Sequence, residues 1–231
     1  MEKPQLSFVR LRRMPIFRQL QIEEALFRAG TGNWCFINEG TEPSVVMGLS
    51  GSVDEVLSNC PFPIIRRFSG GGTVLVDEET VFFSLLLNSA DLPCPSTPHD
   101  VMEWSLKLLR PAFSSVALRQ EEQDYVLDGQ KIGGNAQSFS RGRVVHHTSF
   151  LWSWQKERMD FLSMPKSQPA YRAQRNHADF CNRISRYFPS KEAFVEALLK
   201  AIRSHFDCRE TSLEEAEKAT SIPHRRTVAV C

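Results

Sequence analysis

The chain has no CxxC pair, no HxxxH, no GxGxxG and no GxxxxGK followed by Ser or Thr. Those absences exclude zinc-ribbon spacing, a paired-histidine metal helix, a dinucleotide fingerprint and a P-loop. No apolar run approaches the roughly 18 residues of a membrane span. The beginning, MEKPQLSFVRLRRMPIFRQL, lacks the uninterrupted apolar core of a secretory leader. Charge of one sign is also missing: 28 basic residues face 27 acidic ones, so no whole-molecule field points to nucleic acid or a membrane surface. A charged ligand must be held locally. The six cysteines, 35, 60, 94, 181, 208 and 231, lie far apart in the chain and read as reduced thiols of an intracellular protein. The compartment is expected to be cytoplasmic or organellar, with the early arginines leaving a mitochondrion or plastid open.

What is present is enough for one sizeable core: 231 residues, 42% hydrophobic, without internal repeats or low-complexity linkers. The expectation is a single domain over residues 1–231, starting near Met1. DLPCPSTPHD, residues 91–100, reads as an internal loop, with Thr97 or Asp100 capping the next helix. Helical spacing marks residues 18–28, 100–113 and 190–205, all expected to be ordinary core-facing helices. Strand-like runs are SFVRL, WCFIN, SVVMG, PIIRRF, TVLV, VFFSLLL, SVALR, DYVLDGQKIGG and RVVHHTSFLW. Together they predict an α+β fold: a mixed, mostly antiparallel sheet with packed helices. Asp128-Gly129 supplies a two-residue hairpin turn that places Asp124 and Lys131 on neighbouring strands. The end, SLEEAEKATSIPHRRTVAVC, reads as a surface helix followed by a tail.

Three stretches carry chemistry. In IIRRFSGGGTVLVDEET, Gly70, Gly71 and Gly72 make either a bulged turn or a concave site whose open amides receive an anion. Neighbouring guanidinium groups favour the second reading, and alternation sends Arg66 and Arg67 to opposite faces, so at most one reaches a ligand. In GQKIGGNAQ, Lys131 is either a solvated hairpin lysine or a cation beside a close-approach surface, on a short strand ending at Gly133-Gly134. In RVVHHTSFLW, His146 and His147 point to opposite faces, which rules out a shared metal; no metal site is expected. Arg141 and Arg143 read as solvated loop charge.

In order and spacing, LQIEEALFR, EPSVVMG, RRFSGGGTVLVD, KIGGNAQ, HHTSFLW and YRAQRNHADFC resemble the lipoate-protein ligase A family, within the biotin and lipoate protein ligase group, over residues 20–181. The resemblance implies a catalytic domain of that fold, which binds lipoate and ATP with Mg²⁺, forms lipoyl-AMP and transfers the acyl group to a carrier lysine. It implies partners of the lipoyl-domain type, E2 subunits of 2-oxoacid dehydrogenases or the glycine cleavage H protein, and neither nucleic acid nor membrane. By position it places Arg67, Ser69, Gly70, Gly71, Gly72 and Asp77 in the ligand loop. Lys131 becomes the central cation, with Gly134, Asn135 and Ala136 following it, and His147 matches the second histidine of the family's HHG.

Departures accompany the match. Val76 stands where the family has histidine, Leu49 where it has arginine, and Thr148 where it has glycine. An accessory domain of the kind longer bacterial ligases carry is not expected here, so activation is expected to call on a separate chain. Other outcomes also stand: an octanoyl or lipoyl transferase working through a cysteine thioester, for which Cys181 is the candidate nucleophile with His177 nearby, and a non-catalytic acyl or nucleotide binder.

Overall fold

The computed structural model describes residues 2–30, 32–140, 142–165, 168–220 and 222–230. Along the chain run β1 (Gln5–Leu11), α1 (Ile16–Ala29), β2 (Trp34–Glu39), β3 (Ser44–Met47), β4 (Ile64–Arg66), β5 (Val74–Val76) and β6 (Thr80–Asn88). There follow α2 (Pro98–Leu109), β7 (Arg119–Glu121), β8 (Asp124–Leu127), β9 (Gln130–Ser140) and β10 (Arg143–Leu151). The last elements are α3 (Lys156–Met159), α4 (His177–Phe180), α5 (Lys191–His205), β11 (Asp207–Glu210), α6 (Leu213–Lys218) and β12 (Val228–Ala229).

The larger sheet has the order β11-β1-β2-β6-β10-β9-β8-β7, parallel only where β1 meets β11 and β2. A smaller sheet, β12-β4-β3-β5, is parallel only between β3 and β4. This is the mixed, mostly antiparallel α+β architecture expected. β6 and β10 lie at the centre and bury both faces, which explains why VFFSLLL is a continuous apolar run rather than an alternating one. Val81, Phe83, Leu85 and Leu87 pack towards α2 and α5, whereas Phe82 and Leu86 join the cluster under α1. Each such large side chain contributes about 2 kcal/mol through burial.

Local chemistry sets the boundaries. Thr97 accepts the Asp100 amide at 3.2 Å to start α2, and Ser190 accepts the Ala193 amide at 3.1 Å to start α5. Residues 110–113 tighten into a 3₁₀ turn at Pro111, so the helix expected to reach 113 ends earlier. Asp128 and Gly129 both have positive φ, +51° and +72°, as the β8–β9 hairpin requires.

Four expectations are corrected. The lysine-bearing strand does not end at Gly134 but continues to Ser140, because its ladder with β10 runs unbroken. SVALR forms strand only from Arg119. Arg143 is buried rather than solvated, with Nη1 donating to the Gly32 carbonyl and the Asn88 Oδ1, both at 2.5 Å; Arg141 lies outside the described residues. The first helix is not simply core-facing: α1 buries Gln19, Glu23 and Glu24, at 1%, 0% and 1% exposure.

Candidate active site

Arg67 follows β4 directly and is buried. Its guanidinium donates to Ser69 Oγ at 3.1 Å, the Val46 carbonyl at 3.2 Å, and the Gly70 and Gly72 carbonyls at 2.8 and 2.9 Å. The loop is therefore wound around its own arginine. Burial lowers the Arg67 pKa to about 10, against the pull of Glu55, and leaves the side chain cationic at neutral pH. Arg66 points the other way, as alternation predicted, and holds the 48–52 turn through the Leu49 and Gly51 carbonyls. Gly71 has φ +100°, and a Cβ there would lie 2.8 Å from Arg67 Nη2 and 3.2 Å from the Ala136 Cβ. Glycine is required because the loop folds tightly onto both its own arginine and β9.

Behind that loop runs a buried polar chain. Ser69 Oγ lies 3.0 Å from His147 Nδ1. His147 Nε2 lies 2.8 Å from Glu23 Oε2, an ion-pair distance without hydrogen-bond alignment. Glu23 accepts from Gln19 Nε2 at 2.7 Å, and Gln19 accepts from Asn38 Nδ2 at 2.9 Å. His146, one residue back on β10, faces the opposite side, within 3.2 Å of Tyr125 Oη and Gln137 Nε2. Burial, aided by His147, drives its pKa down to about 3. His146 is satisfied within the core, whereas His147 keeps one nitrogen without an aligned hydrogen bond; among the described residues no group of His, Cys, Asp and Glu is arranged to hold a metal ion.

Lys131 reaches the same place from the β8–β9 hairpin. Its Nζ is 2.8 Å from Asp124 Oδ1, and Tyr171 donates to Asp124 Oδ2 at 2.7 Å. Gly134 is the surface it lies on: a Cβ at that position would sit 2.8 Å from Lys131 Nζ. Asn135 is fixed by Thr148 Oγ1, which donates to its Oδ1 at 2.6 Å, and by its own Nδ2 donating to the Gln123 carbonyl at 3.0 Å. Thr148, where the family has glycine, thus orients the neighbouring amide.

These two segments line one cavity of about 640 Å³, within the size range of small-molecule sites. Arg67, Gly71, Gly72, Lys131, Gly134, Asn135, Ala136 and His147 are all on its wall. Ser69 and Gly70 stand behind the wall, the Gly70 amide being spent on the Gln137 carbonyl at 3.0 Å. Asp77 is not on it: its carboxylate accepts the Glu79 amide at 2.9 Å and Arg158 Nη1 at 2.8 Å, and so closes the turn after β5. Val76 is buried in the core at 0% exposure, an apolar filler, while Leu49 is exposed on the 48–52 turn.

Sequence reasoning missed the opposite wall. Arg172, 4% exposed, lines the cavity with no carboxylate at ion-pair distance among the described residues. Its Nε donates to the Arg175 carbonyl at 2.9 Å, its Nη2 lies 3.2 Å from Met164 Sδ, and its plane lies over Phe180 at 4.7 Å. A buried cation without a counterion is costly unless an anion joins it. Nothing in YRAQRN marks Arg172 out from Arg175; only the fold separates them. His177 is also on the wall, and burial beside Arg172 and Lys131 lowers its pKa to about 4, so it is neutral at pH 7. Cys181 is there too, buried, with its pKa raised to about 11 by desolvation. That is a protonated thiol, unlike the thiolate a thioester mechanism needs. Leu75, Phe82, Leu151, Met159, Leu162 and Phe180 supply apolar wall.

Cationic, glycine and apolar residues thus share the wall of one cavity. The model of the lipoyl protein ligase A/B catalytic domain matches residues 15–206, and the chain belongs to that family. Its relatives include the inactive lipoate–protein ligase 2 of Plasmodium falciparum, 26% identical over 86% of this chain and 69% of the relative. Another is the lipoate-protein ligase LplJ of Bacillus subtilis, 25% identical over 48% of this chain and 34% of that protein. This chain therefore matches only about a third of LplJ's length. Among solved structures, a lipoate-protein ligase A bound with ATP superposes with a TM-score of 0.69 at 20% identity, covering 95% of this chain and 92% of that one. A bipartite ligase from Thermoplasma acidophilum, described with its E2 lipoyl domain, gives 0.67 at 18% identity, covering 95% and 91%. At these identities the structures establish a shared fold.

Proposed function

We propose that the cavity binds lipoate and ATP with Mg²⁺, joins them as lipoyl-AMP, and passes the lipoyl group to a lysine of a lipoyl carrier domain. One observation carries this reading: Lys131 from a hairpin, the Arg67-wound glycine loop and the buried Arg172 all line a single cavity whose wall is partly apolar. The lipoate carboxylate attacks the α-phosphorus and pyrophosphate leaves; the carrier amine then attacks the acyl carbon and AMP leaves. Lys131 and the loop would neutralise charge that grows on the phosphorus in the first step. Arg172 would take a second anionic group of the nucleotide. Three carboxylates on the wall, Glu55, Glu122 and Asp124, belong to no three-ligand cluster, which suits Mg²⁺ arriving with the triphosphate rather than from a protein cage.

The carrier is proposed to be an E2 lipoyl domain or the H protein, and the compartment an intracellular one, cytoplasmic or organellar, as the free thiols suit. The ATP-bound and bipartite relatives support a nucleotide, a lipoyl-domain partner and a second chain in activation. A second reading, a binder without chemistry, is favoured by Val76, Leu49 and the inactive Plasmodium relative. The test incubates the purified chain with lipoate, MgATP and a lipoyl domain, with and without an accessory chain. Lipoyl-AMP and a mass gain on the domain are expected; ligand binding without either product sinks the ligase reading and leaves the binder.

A further inference from the structure

We propose that residues 223–230 form a strap that positions the glycine loop, with Glu24 as its anchor. The inference rests on the loop being the ligand-holding element. Glu24 sits inside α1 at 1% exposure, where an unsatisfied carboxylate would cost several kcal/mol. Its partners are main-chain amides rather than a side-chain cation. Arg225 donates to Oε1 at 2.9 Å, Arg226 to Oε1 and Oε2 at 2.8 and 3.0 Å, and Thr227 to Oε2 at 2.8 Å. Three successive amides around one anion form a nest, here closed on the protein's own carboxylate. Arg28 Nη1 grips the Pro223 carbonyl, and Thr227 is fully buried.

From that anchor the strap enters the small sheet. Val228 pairs with Arg66 and Ala229 with Ile65, and the Val230 amide donates to the Ile64 carbonyl at 2.8 Å. β4 is only three residues long and opens directly into Arg67, whose guanidinium winds the loop. The strap is the outer strand beside β4, so it sets the position from which Arg67 departs. The preceding residue, Glu23, reaches the loop by a separate path through His147 and Ser69. Two consecutive acids on one helix thus hold the loop, one from behind and one through its entry strand.

A strap that only adds stability predicts something different. The full-length chain would be compared with Glu24→Gln, which turns an amide group towards amide donors, and with Val230→Pro, which deletes the bond to Ile64. Leu198→Ala in α5, remote from the loop, serves as a control chosen for a similar loss of melting temperature. Hydrogen exchange and lipoate affinity are measured on all four. The expected result is exchange at residues 64–73 at least tenfold faster, and lipoate held at least tenfold more weakly, in both strap variants but not in the control. Exchange at 64–73 that moves no more than in the control overturns the proposal. If the parent chain binds no lipoate, the functional reading fails, whereas the exchange comparison still decides the strap. Should Glu24→Gln fail to fold, Val230→Pro, a change at a half-buried position of the strap, carries the same comparison.

Discussion

Held 2.8 Å from Asp124 and laid across Gly134, the Lys131 ammonium is fixed before any ligand enters. Preorganised charge of this kind stabilises a transition state without reorganisation, so Lys131→Ala should slow adenylation by about 10²–10³-fold. The pair is half-buried, and the same change should cost at most about 1–2 kcal/mol of stability in a denaturant melt. Arg172→Met gives the opposite balance. Removing a buried cation that has no carboxylate at ion-pair distance among the described residues should leave the melting temperature unchanged or raise it, while ATP affinity by calorimetry falls about tenfold or more. Cys181→Ser should retain ligase turnover, since a thiol pushed to about 11 is no nucleophile at neutral pH; loss of carrier modification in that variant would restore the thioester transferase.

At the scale of elements, β9 decides the site because one strand carries both the cation and the surface beneath it. Gly134→Ala would put a methyl group at 2.8 Å from Lys131 Nζ, and the flexible lysine must move rather than the backbone. Expected is a fold of nearly parental stability with adenylation reduced at least tenfold, read by pyrophosphate release and thermal melting side by side. The 3.6-residue period anticipated α1 and α5, and runs rich in apolar and β-branched residues anticipated β6 and β10, since burial of one face or two writes itself into spacing. They did not anticipate Glu23 and Glu24, whose burial depends on His147 and on amides about 200 residues away. The polar appearance of SIPHRRTVAV concealed a strand for the same reason: β12 is held by main-chain bonds, which leave no mark on side-chain pattern.

For the whole molecule, buried neutral histidine makes stability depend on pH. His146 falls from its ordinary 6.5 to about 3 in the folded chain, among Tyr125, Gln137 and His147. Between those values the unfolded chain binds the proton and the folded chain does not, so stability is complete above about pH 6.5 and declines as pH falls. By about pH 5 this one group removes about 2 kcal/mol. Melting temperature should therefore drop between about pH 7 and pH 5, and His146→Gln should flatten that slope.

Residue types and their order in the chain were sufficient for the α+β class and the Asp128-Gly129 hairpin, because backbone permission and apolar period are local properties; the family, and with it the expectation that the glycine loop meets Lys131, was legible only through the resemblance of ordered motifs. Tertiary structure alone decided that Arg67 turns its donors inward, that Asp77 closes a turn outside the cavity, and that Arg172 rather than Arg175 is buried on the cavity wall. Which partner a charge finds is set by distance through space, and chain order does not encode that distance.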